Sequence, residues 1–151
     1  MNAHFRPYKD TDFAEVADNM SEADRLEVSL SHGYTAHEAL IRACSKSVET
    51  NTMVGSQGEL LGMFGLCYVD DLVGSPWMLS TGKLADYYVK FLRQSRQWVL
   101  DANDQRNVLF NYVHAENKNA IKWLGFLGFS FIRKLNYGVG NAPFYEFVRI
   151  K

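Results

Sequence analysis

Between Leu84 and Ile150 the apolar residues change their period three times, and this constrains the fold more than any other feature. From Leu84 to Asp101 they recur at helical spacing. Leu84, Tyr88, Phe91, Leu92, Ser95, Trp98 and Val99 form one stripe, with Lys90, Arg93, Arg96 and Gln97 off it. Asn103 and Asp104 are expected to stop this helix. From Val108 to His114 the period falls to two, with Val108, Phe110, Tyr112 and His114 on one face and Leu109, Asn111 and Val113 on the other. Helical spacing returns after Asn117, which can cap a helix carrying Ala120, Ile121, Trp123, Leu124 and Leu127 before a terminal turn at Gly128. Phe129 to Leu135 and Phe144 to Ile150 read as two strands, joined by a loop of Gly138, Gly140, Asn141 and Pro143.

The first half is read in the same way. His4 to Tyr8 is a short strand confined to an edge by Pro7. Asp10, Thr11 and Asp12 supply capping oxygens for a helix through Phe13, Val16, Ala17 and Met20. Ser21 opens a second helical stretch in the pattern Ser-x-x-Asp, Gly33 interrupts it, and Thr35 can cap a third. Val48 to Val54 and Leu60 to Val69 are strands of a hairpin through Gly55-Ser56-Gln57-Gly58. Asp70 and Asp71 end the second strand. Pro76 to Leu79 is a short apolar run passing through Ser80-Thr81-Gly82 into the long helix. With the early helices condensed, the order is β-α-α-β-β-β-α-β-α-β-β, with neither linker nor internal repeat. The expectation is one α/β (α+β) domain over residues 1–151: a mixed sheet covered by helices on both faces.

Composition then removes whole classes of function. Of 151 residues, 47% are hydrophobic and 14% aromatic, which excludes a disordered or disulfide-built chain. Sixteen basic residues against seventeen acidic leave a formal net charge of −1, so no bulk attraction to nucleic acid or anionic membrane is expected. Cys44 and Cys67 read as reduced thiols. The polar start lacks the apolar core of a signal peptide, and Leu60 to Val69 is too short to span a bilayer. The four histidines, His4, His32, His37 and His114, lack metal-ligand spacing, so no metal is expected.

Element order and two sets of residues resemble the GNAT superfamily of N-acetyltransferases. Phe5-Arg6-Pro7-Tyr8-Lys9-Asp10-Thr11-Asp12-Phe13 is similar to that family's first strand entering its first helix. Asn117-Lys118-Asn119-Ala120 with Gly128-Phe129 is similar to its helix before the sixth strand. A narrower resemblance joins four landmarks: Pro76 to Thr81, Phe91 to Val99, Asn111-Tyr112-Val113, and Ile121-Lys122-Trp123-Leu124 with Leu127-Gly128-Phe129. Together they look like the GNAT-like internal virion proteins of podophages. The resemblance implies a mostly antiparallel sheet of about seven strands flanked by about four helices. It also implies a phage origin, a location in the virion or host cytoplasm, and other virion proteins as partners.

Family chemistry supplies the site expectations. A GNAT enzyme holds the pyrophosphate of coenzyme A on backbone N–H groups of a glycine-rich turn after the fourth strand. Here Gly82 is the one glycine in that loop, Leu79 and Leu84 stand at the other two family positions, and a leucine is expected to obstruct the phosphates. Ser80, Thr81 and Lys83 can offer donors to an anion, or can simply cap the helix and be solvated. Asn117 corresponds to the family asparagine that binds the coenzyme arm, and a capping role alone would also explain it. The family's tyrosine acid falls on Leu124, which exchanges no proton. Tyr112, His114 and Tyr137 are the substitutes, and Asp70, Asp71, Glu116 and Glu146 the carboxylates that could serve as base. The tryptophans and Phe126, Phe129 and Phe131 are core or, if exposed, a docking surface. Lys90, Arg93 and Arg96 are a solvated face, or a contact with an acidic partner or packaged DNA; no clear nucleic-acid site is read. The expected function is a virion-associated protein with a degenerate acyl-CoA site, acting in particle assembly or genome ejection. The alternative is an active acetyl-CoA-dependent N-acetyltransferase of a protein or small-molecule amine.

Overall fold

The structure, a computed structural model, describes residues 2–151. Seven strands form one sheet: β1 (His4–Pro7), β2 (Ser47–Val54), β3 (Leu60–Tyr68), β4 (Val73–Ser80), β5 (Val108–His114), β6 (Ser130–Tyr137) and β7 (Ala142–Ile150). Their spatial order is β1-β2-β3-β4-β5-β7-β6, with every neighbouring pair antiparallel except β4 and β5. Among the described residues five helices cover it, in keeping with the about four expected: α1 (Asp12–Asp18), α2 (Glu22–His32), α3 (Ala36–Lys46), α4 (Tyr88–Gln105) and α5 (Lys118–Phe126). A 3-10 turn over Leu84–Tyr87 precedes α4.

The helix signals act as their chemistry requires, with three exceptions. The Ser21 side chain accepts from the Asp24 N–H, and Thr35 with Glu38 forms a capping box. Gly33 ends α2 and Gly128 follows α5, both with positive φ. Thr11 stands at the start of α1 but its side chain caps nothing; the Asp12 carboxylate, within the first turn, accepts from the Lys9 N–H. Asn103 does not stop α4, which runs on to Gln105. Its amide is buried and donates to the carbonyls of Arg106, Asn107 and Arg149, tying the helix end to β7. Asn117 occupies the capping position of α5 without a side-chain cap.

The parallel pair β4–β5 shapes the molecule. Val73 pairs with Val108 and Gly74 with Leu109, after which the two strands diverge. Asn111 Nδ2 donates to the Pro76 carbonyl at 2.9 Å, two residues beyond the last pair on each strand. A strand residue directs its N–H and C=O to the same side, so the ring nitrogen of Pro76 also faces β5 and brings no donor to the ladder. The sheet therefore opens as a wedge towards the ends of β4 and β5. The helices pack on either side of it. Phe13, Val16, Leu40, Met63 and Leu79 pack under α1–α3; Phe64, Leu84, Phe91 and Trp123 pack with α4 and α5 on the other face.

Candidate functional site

The wedge opens into a cavity of about 490 Å³. Its walls are aromatic, with Trp77 from β4, Phe110 and Tyr112 from β5, and Tyr137 from β6. Tyr112 and Tyr137 stack with ring centroids 4.0 Å apart. Burial pushes the Tyr137 phenol above its ordinary value; burial and then the Glu146 carboxylate do the same to Tyr112. Both rings keep their protons near neutrality.

The chemistry at the closed end comes from α2, which sequence reasoning did not nominate. Asp24 and Glu27 lie three residues apart and so project from one helix face into the wedge. Asp24 Oδ2 accepts from the Ser80 N–H at 2.8 Å and from Ser80 Oγ at 3.0 Å. Asn117 Nδ2 donates to Asp24 Oδ1 at 3.0 Å and to Glu27 Oε1 at 3.2 Å, and Glu27 Oε1 also accepts from the His114 N–H at 2.7 Å. One helix thus joins the separated ends of β4 and β5 to the start of α5. No cation forms a salt bridge to either carboxyl among the described residues. Glu27 is partly open to the cavity but closely surrounded by protein. Burial, reinforced by Asp24, pushes its pKa from 4.5 up to about 8 against the hydrogen bonds from His114 and Asn117. Asp24 is also raised, by burial.

The other sequence candidates are dispersed. His114 is buried with its ring against Phe144, and it reaches the site through its backbone N–H, not its imidazole. Asp70 lies in the β3–β4 turn, where Oδ1 accepts the Leu72 and Val73 N–H groups. Glu146 pairs with Arg133 on β6, and Glu116 is exposed. Leu124, on α5, packs against the core. The sequence carries one signal for the α2 pair: the pattern Ser-x-x-Asp predicts a capping role for its Asp, but the Asp24 carboxyl turns away to a strand 56 residues later.

The turn after β4 does not fit a coenzyme pyrophosphate held in the family manner. Four of its N–H groups are already turned inward: Ser80 to Asp24, Thr81 to the Leu61 carbonyl, Lys83 to Thr81 Oγ1 and Leu84 to the Thr81 carbonyl. Leu79 and Leu84 do not obstruct the phosphate position with their side chains, as expected from sequence; both point into the core. The cavity itself reaches from Gly82 to Asn117, and Tyr88 stacked on Trp123, with centroids 4.7 Å apart, forms part of its wall between the beginnings of α4 and α5. Glu15 and Glu59 line a second hollow with Gly82 and Lys83, placing carboxylates beside the turn. Among the described residues no group of histidine, cysteine, aspartate or glutamate side chains is arranged to hold a metal ion.

Neither a family model nor a curated protein matches the sequence. Solved structures do match over 99% of the chain. A GCN5-related N-acetyltransferase from Kribbella flavida superposes over 98% of its own length with a TM-score of 0.68 and 18% identity. Ard1 from Thermoplasma volcanium gives 98%, 0.72 and 15%. The spermidine N-acetyltransferase of Vibrio cholerae, solved with CoA and spermine, gives 95%, 0.70 and 12%. At these identities the likeness is one of fold, and a fold outlives its chemistry.

Proposed function

We propose that this chain, which has the N-acetyltransferase fold, serves as a virion-associated phage protein whose cleft no longer takes acyl-CoA in the family manner. Its setting is particle assembly or genome ejection, in the virion or the host cytoplasm, with other virion proteins as partners. The phage assignment rests on the four sequence landmarks between Pro76 and Phe129. The loss of coenzyme binding rests on one observation: Asp24 takes both donors of Ser80 and shares Asn117 with Glu27. An internal carboxylate thus occupies groups that the family offers to its coenzyme. A phosphate brought there would meet the Asp24 and Glu27 carboxyls, with the Ser80 and Asn117 donors already taken.

A thermal-shift titration with acetyl-CoA tests this reading. A ligand at 100 times its Kd stabilises a folded protein by about 2.7 kcal/mol. The expectation is no shift at millimolar acetyl-CoA; a clear shift that Asn117→Ala abolishes would overturn it. Mass spectrometry of purified particles should find the chain, and its absence from them would remove the virion assignment.

A second reading is favoured by Glu27 itself. A carboxyl with a pKa of about 8 on the wall of an aromatic cavity is suited to take a proton from an ammonium group near neutral pH. An N-acetyltransferase acting on a protein or small-molecule amine would use it as general base. Acetyl-CoA would then lie against the Tyr88–Trp123 stack, which lines the same cavity. Turnover of acetyl-CoA with an amine, lost in Glu27→Gln, is the result that selects this reading.

A further inference from the structure

The fold gathers cations that the sequence keeps apart. Lys90, Arg93 and Arg96 follow one another at three-residue spacing on the exposed side of α4, and Lys118 and Lys122 lie on the exposed side of α5. The two helices run side by side on the same face of the sheet: Tyr88 stacks on Trp123, and Arg96 Nε donates to the Phe126 carbonyl at 2.9 Å. Five of the chain's sixteen basic residues therefore share one surface of a molecule whose formal charge is −1. None of the five forms a salt bridge among the described residues. Asp86 and Glu116 flank the two helix beginnings, and Asp101 and Asp104 lie towards the far end of α4.

We propose that the α4–α5 face binds the phosphate backbone of duplex DNA without reading its sequence. Lys90 to Arg96 spans six residues, roughly 9 Å along the helix. That covers between two and three phosphates of one strand at about 3.4 Å of axis each. The side chains around the cations are the exposed Val89, the amides Gln94 and Asn119, which can bond phosphate oxygens, and Gln97, whose amide donates to Asp101 at 2.9 Å. A protein partner or a bilayer would call for a continuous apolar centre. Here Val89 and Phe126 are separate, and Lys122 sits over the Phe126 ring. The aromatic cavity is not required, so the proposal stands or falls apart from the reading of the cleft.

Fluorescence anisotropy of the whole chain with a labelled mixed-sequence duplex of about 30 base pairs tests it. Four to five phosphate contacts predict a log–log salt slope of about −4, hence a loss of roughly eighty-fold in affinity between 50 and 150 mM salt. The double variant Lys90→Glu, Arg93→Glu, shown to be folded by circular dichroism, should weaken binding at least ten-fold. Lys46→Glu, at the end of α3 on the opposite face of the sheet, should change it less than two-fold. No binding at 50 mM salt overturns the proposal, as does equal weakening by Lys46→Glu. Binding to phosphatidylserine vesicles but not to DNA would assign the face to a membrane. Displacement of DNA by micromolar acetyl-CoA would assign the cations to coenzyme phosphates. Either result overturns it.

Discussion

Asp12 and Asp24 are buried to the same degree, at 3% and 6% exposure, and each fastens a helix to distant strands through backbone and hydroxyl donors. Asp12 accepts from the Lys9 N–H at 2.8 Å and Thr52 Oγ1 at 2.7 Å; Asp24 accepts from the N–H and hydroxyl of Ser80. What separates them is a cation. Two nitrogens of Arg6 reach both oxygens of Asp12 at 2.8 and 2.9 Å, whereas Asp24 has Glu27 as its charged neighbour. Burial alone would raise both pKa values. At Asp12 the Arg6, Thr52 and Lys9 hydrogen bonds outweigh it and hold the carboxyl below its ordinary value. At Asp24 burial wins. One cluster is built to be ionised and holds β1, α1 and β2 together. The other keeps a proton at the apex of the cleft, where a perturbed carboxyl is available for chemistry.

The largest effect should come from breaking the first cluster. Asp12→Ala leaves the Arg6 guanidinium without its partner, and removing one member of a buried pair destabilises by about 3–5 kcal/mol. Arg6 keeps some contact with water, so about 3 kcal/mol is expected, a fall in Tm of roughly 6–12 °C for a chain of this length. Because the Asp12 pKa is lowered on folding, its stabilisation is present above pH 3.8 and is lost as pH falls through the folded value. Differential scanning calorimetry of the variant at pH 7 and pH 3 should show the gap to wild type closing in acid. A gap that stays constant would mean that Asp12 acts by packing alone, and the contrast with Asp24 would lose its basis.

The second cluster has the opposite sign. Glu27 has a folded pKa of about 8 against an ordinary 4.5, so the native state binds the extra proton between those values. Its contribution is fully present below pH 4.5 and is lost as pH rises through 8. Glu27→Gln keeps an oxygen for the His114 N–H and the Asn117 amide but cannot ionise. The variant should come within about 1 kcal/mol of wild type at pH 5 and exceed it at pH 9 by about 2–3 kcal/mol, roughly 4–12 °C in Tm, because water reaching Glu27 from the cavity reduces the ~5 kcal/mol that the full shift would carry. Equal melting curves at pH 9 would show that Glu27 ionises freely in the folded protein, which would end both its special status and the acetyltransferase reading built on it.

The two clusters also differ in how visible they are in sequence. Most elements are legible because local chemistry decides them: the alternation from Val108 to His114, the caps at Ser21 and Thr35, and Gly33 and Gly128 where the chain needs positive φ. The resemblance of the opening residues places Arg6 and Asp12 in sequence neighbourhood, though the capping role read for Asp12 is replaced by its ion pair. Asp24 and Glu27 are illegible for a physical reason. On a helix written Glu-Ala-Asp-Arg-Leu-Glu, acids at three-residue spacing describe a solvated face, and only partners 56 to 93 residues away turn them inward. The same holds for Asn117, whose local role as a cap is plausible chemistry that the distant carboxyls override. The stack of Tyr88 on Trp123 and the basic α4–α5 face are likewise products of packing between segments.

The smallest effect probes the turn that Asp24 anchors. Gly82 has an ordinary backbone conformation, and a Cβ placed on it would meet no atom within 4 Å. In the folded state nothing here requires glycine, so Gly82→Ala acts chiefly through the unfolded chain, which loses freedom it would otherwise have to surrender. The variant should be more stable by about 0.4–1 kcal/mol, a rise in Tm of roughly 1–4 °C. A coenzyme-binding turn gives the reverse functional result, because a methyl group at a phosphate cradle blocks the close approach of oxygen to backbone. Melting Gly82→Ala with and without acetyl-CoA separates the two demands. Stabilisation in both conditions fits a turn held by Asp24 from within. A coenzyme-dependent shift present in wild type and missing in the variant would mean that Ser80 gives up Asp24 for a ligand, and the uncompensated acid cluster would then be a resting state of an enzyme.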